Sequence, residues 1–197
     1  MNYRNNITNE DIQKLETRYF NGRIHVISQT SNIPAAVNAI QKHSIIGFDT
    51  ESKPNFKKGQ NHKIALIQLA IPGEVYIFRI SRTGLTKELT GLFENEHILK
   101  VGVSVRDDLK RLAQMCRIEP KGFFELQNYS DTFHIESNSL KKLAAIVLGI
   151  RVSKSQRLTN WESNELTEEQ LIYAATDAWI CLEIYNKLRN SSPDIQL

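Results

Sequence analysis

Residues 45–51 read Ile45-Ile46-Gly47-Phe48-Asp49-Thr50-Glu51. A short, continuous apolar run ended by acids has the pattern of a β-strand covered on both faces. Such a strand belongs inside a sheet with helices on either side. Side chains of a strand alternate between faces, so Asp49 and Glu51 leave the same face, close enough to repel. A strand emerging into a polar loop would carry such a pair without further meaning. The pair matters only if other acids join it.

Outward from this strand, Ile24 to Ile27 reads as a strand and Ile33 to Ile40 as a helix. Ile64 to Ile71 and Val75 to Ile80 are β-rich runs joined by Pro72-Gly73-Glu74, the chemistry of a tight antiparallel turn. Leu85 to Phe93 reads as helix, Ile98 to Val103 as strand and Val105 to Cys116 as an amphipathic helix. Ser139 can cap a helix running to Leu148, with Gly149 as terminator. Thr167-Glu168-Glu169-Gln170 is a capping box opening a helix to about Leu188. A weaker one, Thr8 with Asp11, precedes a short amphipathic stretch to about Phe20, broken by Asn21-Gly22. The expected fold class is α/β, a mixed central sheet flanked by helices. Residues 1–22 form an amino-terminal arm, 23–190 the domain and 191–197 a carboxyl-terminal tail.

With 197 residues, 41% of them hydrophobic, the chain can bury one substantial core. The 25 basic and 22 acidic side chains leave a net charge of +3, which argues neither for nor against a nucleic-acid partner. Cys116 and Cys181 lie far apart inside apolar helical patterns and read as reduced core residues. The amino terminus has no apolar run to act as a signal, and no stretch approaches the roughly 20 residues of a membrane span. A cytoplasmic protein without a membrane partner is therefore expected.

Two later segments supply further acids. On the helix after Gly102, Val105, Leu109, Leu112 and Cys116 define an apolar face. Helical geometry puts Asp108 roughly 70° from the centre of that face and Asp107 about 170° away. Asp108 borders the packed side and Asp107 points to solvent. The last helix is more telling, because from Leu171 to Tyr185 only Asp177 and Glu183 are charged. A carboxylate on so apolar a helix needs a compensating cation or several donors, and no Lys or Arg lies one turn away. Tyr173, four residues before Asp177, shares its face. Each acid also has a structural explanation of its own: a strand end, a solvated helix boundary, a Tyr–Asp hydrogen bond.

Phe48-Asp49-Thr50-Glu51, then Val101-Gly102-Val103 leading to Asp108, then Tyr173-Ala174-Ala175-Thr176-Asp177 resemble the three motifs of the DEDD exonuclease superfamily. The Tyr-x-x-x-Asp spacing resembles its tyrosine subgroup; the histidine subgroup has His where this chain has Ile172. The likeness runs from about Ile24 to Leu188, including residues 63–69, 139–143 and 160–167. It looks most like the exonuclease domain of the Werner syndrome helicase and, more distantly, ribonuclease D. It implies a ribonuclease-H-like fold, two divalent ions (Mg2+ or Mn2+) and 3′-to-5′ hydrolysis of phosphodiesters with release of nucleoside 5′-monophosphates. It further implies that Asp49 bridges both ions and that Glu51 and Asp177 complete one site. Asp108 would support the other ion through water, and Tyr173 would orient the attacking water. Hard cations do prefer such oxygen ligands, and two of them can activate water and stabilise the leaving oxygen.

Ser137 to Trp161 contains Lys141, Lys142, Arg151, Lys154 and Arg157 and no acid. Within it, Lys154 and Arg157 are suited to phosphate contacts. The loop from Lys53 to Lys63 mixes Lys57, Lys58 and Lys63 with Phe56, an aromatic able to stack on a base. Thr50 completes the candidate nucleic-acid contacts. His62 has no partner at ligand spacing and reads as a polar loop residue, while Trp161 and Trp179 read as packing residues. The expected partner is a nucleic acid with a free 3′ end, DNA ahead of RNA. The alternative is a catalytically silent nucleic-acid-binding module on the same fold, against which the complete set of acids and the tyrosine weighs; an endonuclease is a weaker third reading.

Overall fold

The computed structural model describes residues 3–54 and 62–191. One mixed sheet carries β1 (Arg23–Ile27), β2 (Ile45–Ser52), β3 (Ile64–Ile71), β4 (Glu74–Phe78), β5 (Leu99–Gly102) and β6 (Phe123–Glu125). Their order across it is β1-β4-β3-β2-β5-β6. β3 runs antiparallel to β2 and β4, whereas β1 is parallel to β4 and β5 is parallel to both β2 and β6. The Pro72-Gly73 turn closes the β3–β4 hairpin with Ile71 opposite Glu74, and Gly73 takes the positive φ of +78°. β2 is thus interior, and its predicted run extends through Asp49 and Glu51 to Ser52.

Alternation along β2 divides the core. Ile46 and Phe48 pack with α2 (Ile33–Ile40), α4 (Lys87–Glu94) and the apolar face of α5 (Val105–Met115). Gly47 and Asp49 face the opposite way, towards α8 (Glu168–Ser191). A Cβ on Gly47 would lie 2.0 Å from the Ala178 carbonyl oxygen and 3.1 Å from the Ala70 Cβ. The absence of a side chain lets α8, small there at Ala174, Ala175 and Ala178, seat directly on the sheet. α8 begins with the expected capping box formed in both directions. The Thr167 amide donates to the Gln170 side chain at 3.0 Å, and the Gln170 amide to the Thr167 hydroxyl at 3.3 Å.

Several segments differ from the sequence reading. The helix at the amino terminus, α1 (Asn9–Gln13), stops well before Phe20, because Thr17 is drawn into a parallel bridge with Arg151. The run ending at Ile80 leaves the sheet after Phe78 and turns into a short helix, α3 (Ile80–Thr83). β6 and α6 (Leu126–Asp131) were not anticipated. The helix after Ser139, α7 (Leu140–Leu143), starts without a capping hydrogen bond from the Ser139 side chain and continues as a π-helical turn over Ala144–Leu148 before Gly149 ends it at φ +69°. Cys116 is half-buried and Cys181 buried, both as free thiols. Of the expected tail, only Ser191 lies among the described residues, where α8 ends. No helix among them is long and apolar enough to cross a membrane.

Candidate active site at the end of the central strand

The last turns of β2 deliver two side chains to one face and one to the other. Asp49 and Glu51 point towards α8, where Asp177 meets them: carboxylate oxygens of all three lie within 4.8 Å of one another. Glu51 and Asp177 are buried and Asp49 is half-buried. A register shift between Glu51 and Ser52 ends the regular pairing with β3 just after these acids. Among the described residues, the five ion pairs include none to these three acids. Burial pushes Asp49 and Glu51 well above the ordinary carboxylate range, and repulsion from Asp177 adds to it. Asp177 is raised to about 7, first by burial, against the pull of the Tyr173 hydrogen bond and the Lys154 charge. Burial raises the Tyr173 hydroxyl as well, followed by the charges of Asp177, Glu51 and Asp49. Its ring packs 5.8 Å from that of Trp161, which is fully buried.

Asp108 arrives from the opposite layer. It is buried on α5, while Asp107 is exposed and pairs with Lys110 at 3.1 Å. Thr50, alternating with Asp49 and Glu51, points to this side and donates its hydroxyl to Asp108 Oδ1 at 2.6 Å. Arg111 reaches the same oxygen at 3.4 Å and donates to the Ser52 hydroxyl at 3.2 Å. Burial lifts Asp108 to about 6, with the Thr50 bond and then Arg111 pulling the other way. Asp108 is therefore held beside the three-acid group rather than inside it. Arg111 is a site residue that the sequence reading did not single out. Its spacing three residues after Asp108 was the available signal.

The other predicted contacts are more dispersed. Lys154 and Arg157 are exposed on the segment before α8, near enough that Lys154 acts on the charge of Asp177 and Arg157 on that of Glu51. Lys63 is exposed at the start of β3, and Lys57 and Lys58 lie outside the described residues. Openings flank the acids on two sides. One of about 540 Å3 is lined by Thr50, Glu51, Ser52, Lys53, His62 and Arg111, among others. Another of about 270 Å3 lies against Tyr173, between α8 and residues 153–156. A larger one, about 740 Å3, runs between α5 and the β6–α6 segment and is lined by none of Asp49, Glu51, Asp108, Tyr173 and Asp177.

The donor set suits a hard divalent cation. Three oxygen ligands converge with no ion pair to them among the described residues, burial keeps the neighbouring Cys181 thiol protonated, and further carboxylate and hydroxyl groups stand alongside. A sheet in this order, with acids gathered at the end of an interior strand, is the ribonuclease-H-like arrangement. A family model described as 3′-5′ exonuclease matches residues 24–192, and the chain belongs to that family. It is 36% identical over 159 residues to the bifunctional 3′-5′ exonuclease/ATP-dependent helicase WRN of Mus musculus, an alignment covering 78% of this chain and 11% of that protein. It is 32% identical over 164 residues to a putative 3′-5′ exonuclease of Acanthamoeba polyphaga mimivirus, covering 75% and 40%. Ribonuclease D of Bartonella henselae is 27% identical, with 86% and 42% covered. The chain thus spans less than half the length of these relatives. Among solved structures, the Nibbler EXO domain of Aedes aegypti superposes with a TM-score of 0.78 at 24% identity, covering 89% of this chain and 91% of that one. Ribonuclease D of Trypanosoma brucei in complex with RNA U12 gives 0.79 at 18%, covering 90% and 66%. Both share the fold.

Proposed function

We propose that this chain removes nucleoside 5′-monophosphates one at a time from the 3′ end of a nucleic-acid strand by a two-metal-ion mechanism. The observation that carries the proposal is the convergence of Asp49, Glu51 and Asp177, mutually repelling and with no ion pair to them among the described residues. Asp49, Glu51 and Asp177 would hold one Mg2+ or Mn2+ ion, with Asp49 and Asp108 serving a second. Ions bound there supply charge neutralisation and a lowered water pKa. The Tyr173 hydroxyl keeps its proton at neutral pH, so it cannot act as the base. Its role is to hold the attacking water in line by hydrogen bonding, anchored by Asp177. Lys154 and Arg157 draw the phosphates of the strand towards the acids, and Thr50 and Arg111 keep Asp108 ionised and oriented.

DNA is proposed ahead of RNA, since ribonuclease D, whose name specifies RNA, is less similar to this chain at 27% than the exonuclease/helicase at 36%. Incubation with 5′-labelled DNA and RNA oligonucleotides, in Mg2+, Mn2+ or EDTA, tests the proposal. A ladder shortening from the 3′ end is expected, lost in EDTA and in Asp49→Ala and strongly slowed in Tyr173→Phe. Binding of every substrate without shortening would return the chain to the silent module; activity surviving Asp49→Ala would remove the metal assignment.

A further inference from the structure

The amino-terminal arm builds a surface that the acids do not require. Beyond Tyr173, the 270 Å3 cleft is bounded by Tyr19 and Phe20 of the arm, by Ser153, Ser155 and Gln156, and by Glu169 at the start of α8. Phe20 is locked down: its backbone amide donates to the buried Thr176 hydroxyl of α8 at 3.0 Å, and its ring lies 6.0 Å from that of Trp179. Tyr19, one residue earlier, is 50% exposed. An exposed aromatic on a backbone fixed at the next residue is an aromatic face offered to solvent at small entropic cost.

A second cleft, about 320 Å3, continues from the first, and Tyr19, Ser153 and Ser155 line both. The remainder of its lining brings in Lys141, Arg151 and Lys154 and no acidic side chain. Arg151 donates to Thr17 and to Gln13, tying the arm to the segment that carries these cations. Among the described residues, no carboxylate pairs with Lys141, Arg151 or Lys154. A continuous path therefore runs from the site tyrosine, past an exposed aromatic, to unpaired positive charge.

We propose that this path holds the strand upstream of the scissile phosphate in unpaired form, with a base stacked on Tyr19 and the following phosphates against Lys141 and Lys154. The inference rests on the exonuclease reading and narrows its substrate to a single-stranded 3′ end. Aromatic platforms interleaved with cations recognise single strands irrespective of sequence, because every base has a face to stack and every linkage a charge. A base within a duplex has that face covered by its neighbours.

Binding and hydrolysis together decide it. The probes are a 5′-fluorescein single-stranded oligonucleotide, a blunt duplex of the same sequence, and the 4-nitrophenyl ester of thymidine 5′-monophosphate, which has no upstream strand. By anisotropy in Ca2+, Tyr19→Ala is expected to weaken single-strand binding about 10-fold, as loss of one stacked base would, with Tyr19→Phe close to the parent and duplex binding insensitive. The ratio of kcat/KM for oligonucleotide over ester should fall by a similar factor in Tyr19→Ala. Lys141→Gln should reduce the salt slope of single-strand binding by about 0.7. Single-strand binding unchanged in Tyr19→Ala, or equal losses on oligonucleotide and ester, would overturn the assignment. If the parent protein hydrolyses neither probe, the exonuclease reading fails, while the anisotropy series still decides whether Tyr19 holds a strand.

Discussion

The two faces of β2 solve the same electrostatic problem in opposite ways. On the face towards α5, Asp108 is buried but answered from within by the Thr50 hydroxyl and the Arg111 guanidinium, both on one oxygen. On the face towards α8, Asp49, Glu51 and Asp177 are pressed together without an ion pair among the described residues, and the Thr50 backbone, the Tyr173 hydroxyl and the charges of Arg111, Lys154 and Arg157 offset their repulsion and burial only in part. Neighbouring residues of one strand, 49 to 51, therefore serve one satisfied carboxylate and three unsatisfied ones. A group satisfied internally can stand alone, whereas a group left in repulsion is arranged for something from outside.

Removing charge from the unsatisfied face should have the largest effect. Asp177→Asn keeps an acceptor for Tyr173 but deletes one negative charge. Its kcat with Mg2+ on a 5′-labelled oligonucleotide is expected to fall about 1,000-fold or more, equivalent to about 4 kcal/mol of lost transition-state stabilisation. Its melting temperature in EDTA at neutral pH should exceed that of the parent, because repulsion has been relieved. A lower melting temperature would mean that the charge stabilises the apo fold.

The pH dependence of stability separates the faces next. Asp177 and Asp108 have folded pKa values raised to about 7 and about 6, above their ordinary 3.8. Between the unfolded and folded values the native state binds more protons, so apo stability should fall as pH rises through this window. The penalty is absent below the unfolded value and complete above the folded one. Urea unfolding in EDTA between pH 5 and pH 8 is expected to show this loss, mostly from the α8 side. Saturating Mg2+ should flatten the dependence at the upper end by binding the native state alone.

The smallest effect should come from the satisfied face. Arg111→Ala removes one of two partners from Asp108, and about a 10-fold loss of kcat/KM is expected, typical of groups that orient a metal-site carboxylate. Mn2+ affinity, read by titration, should change less than in Asp177→Asn. Equal loss in both variants would erase the distinction between the faces.

How much of this arrangement was legible depended on the range of the signal. Alternation put Asp49 and Glu51 on one face, helical phase separated Asp108 from Asp107, and the Thr167–Gln170 box opened α8 as written. These are patterns carried within a few residues. Phe123-Phe124-Glu125 escaped notice because three residues give no period, and β6 exists only by pairing with β5. The early end of α1 depends on Arg151, more than 130 residues away, so no local propensity could announce it. Thr50 was read as a nucleic-acid contact, yet its hydroxyl is engaged by Asp108; the partner lies on another element, and only the fold brings them together.

Gly47 has a bearing on timing as well as packing. Two of the three converging carboxylates are placed by residue 51, but the third rides on α8 and reaches them only when Ala178 seats over that glycine. Until residues 168–191 have been synthesised and docked, Asp177 is apart from Asp49 and Glu51. A chain lacking residues 168–191 would hold Asp49 and Glu51 without Asp177 and Tyr173, so the candidate site is completed only when α8 docks.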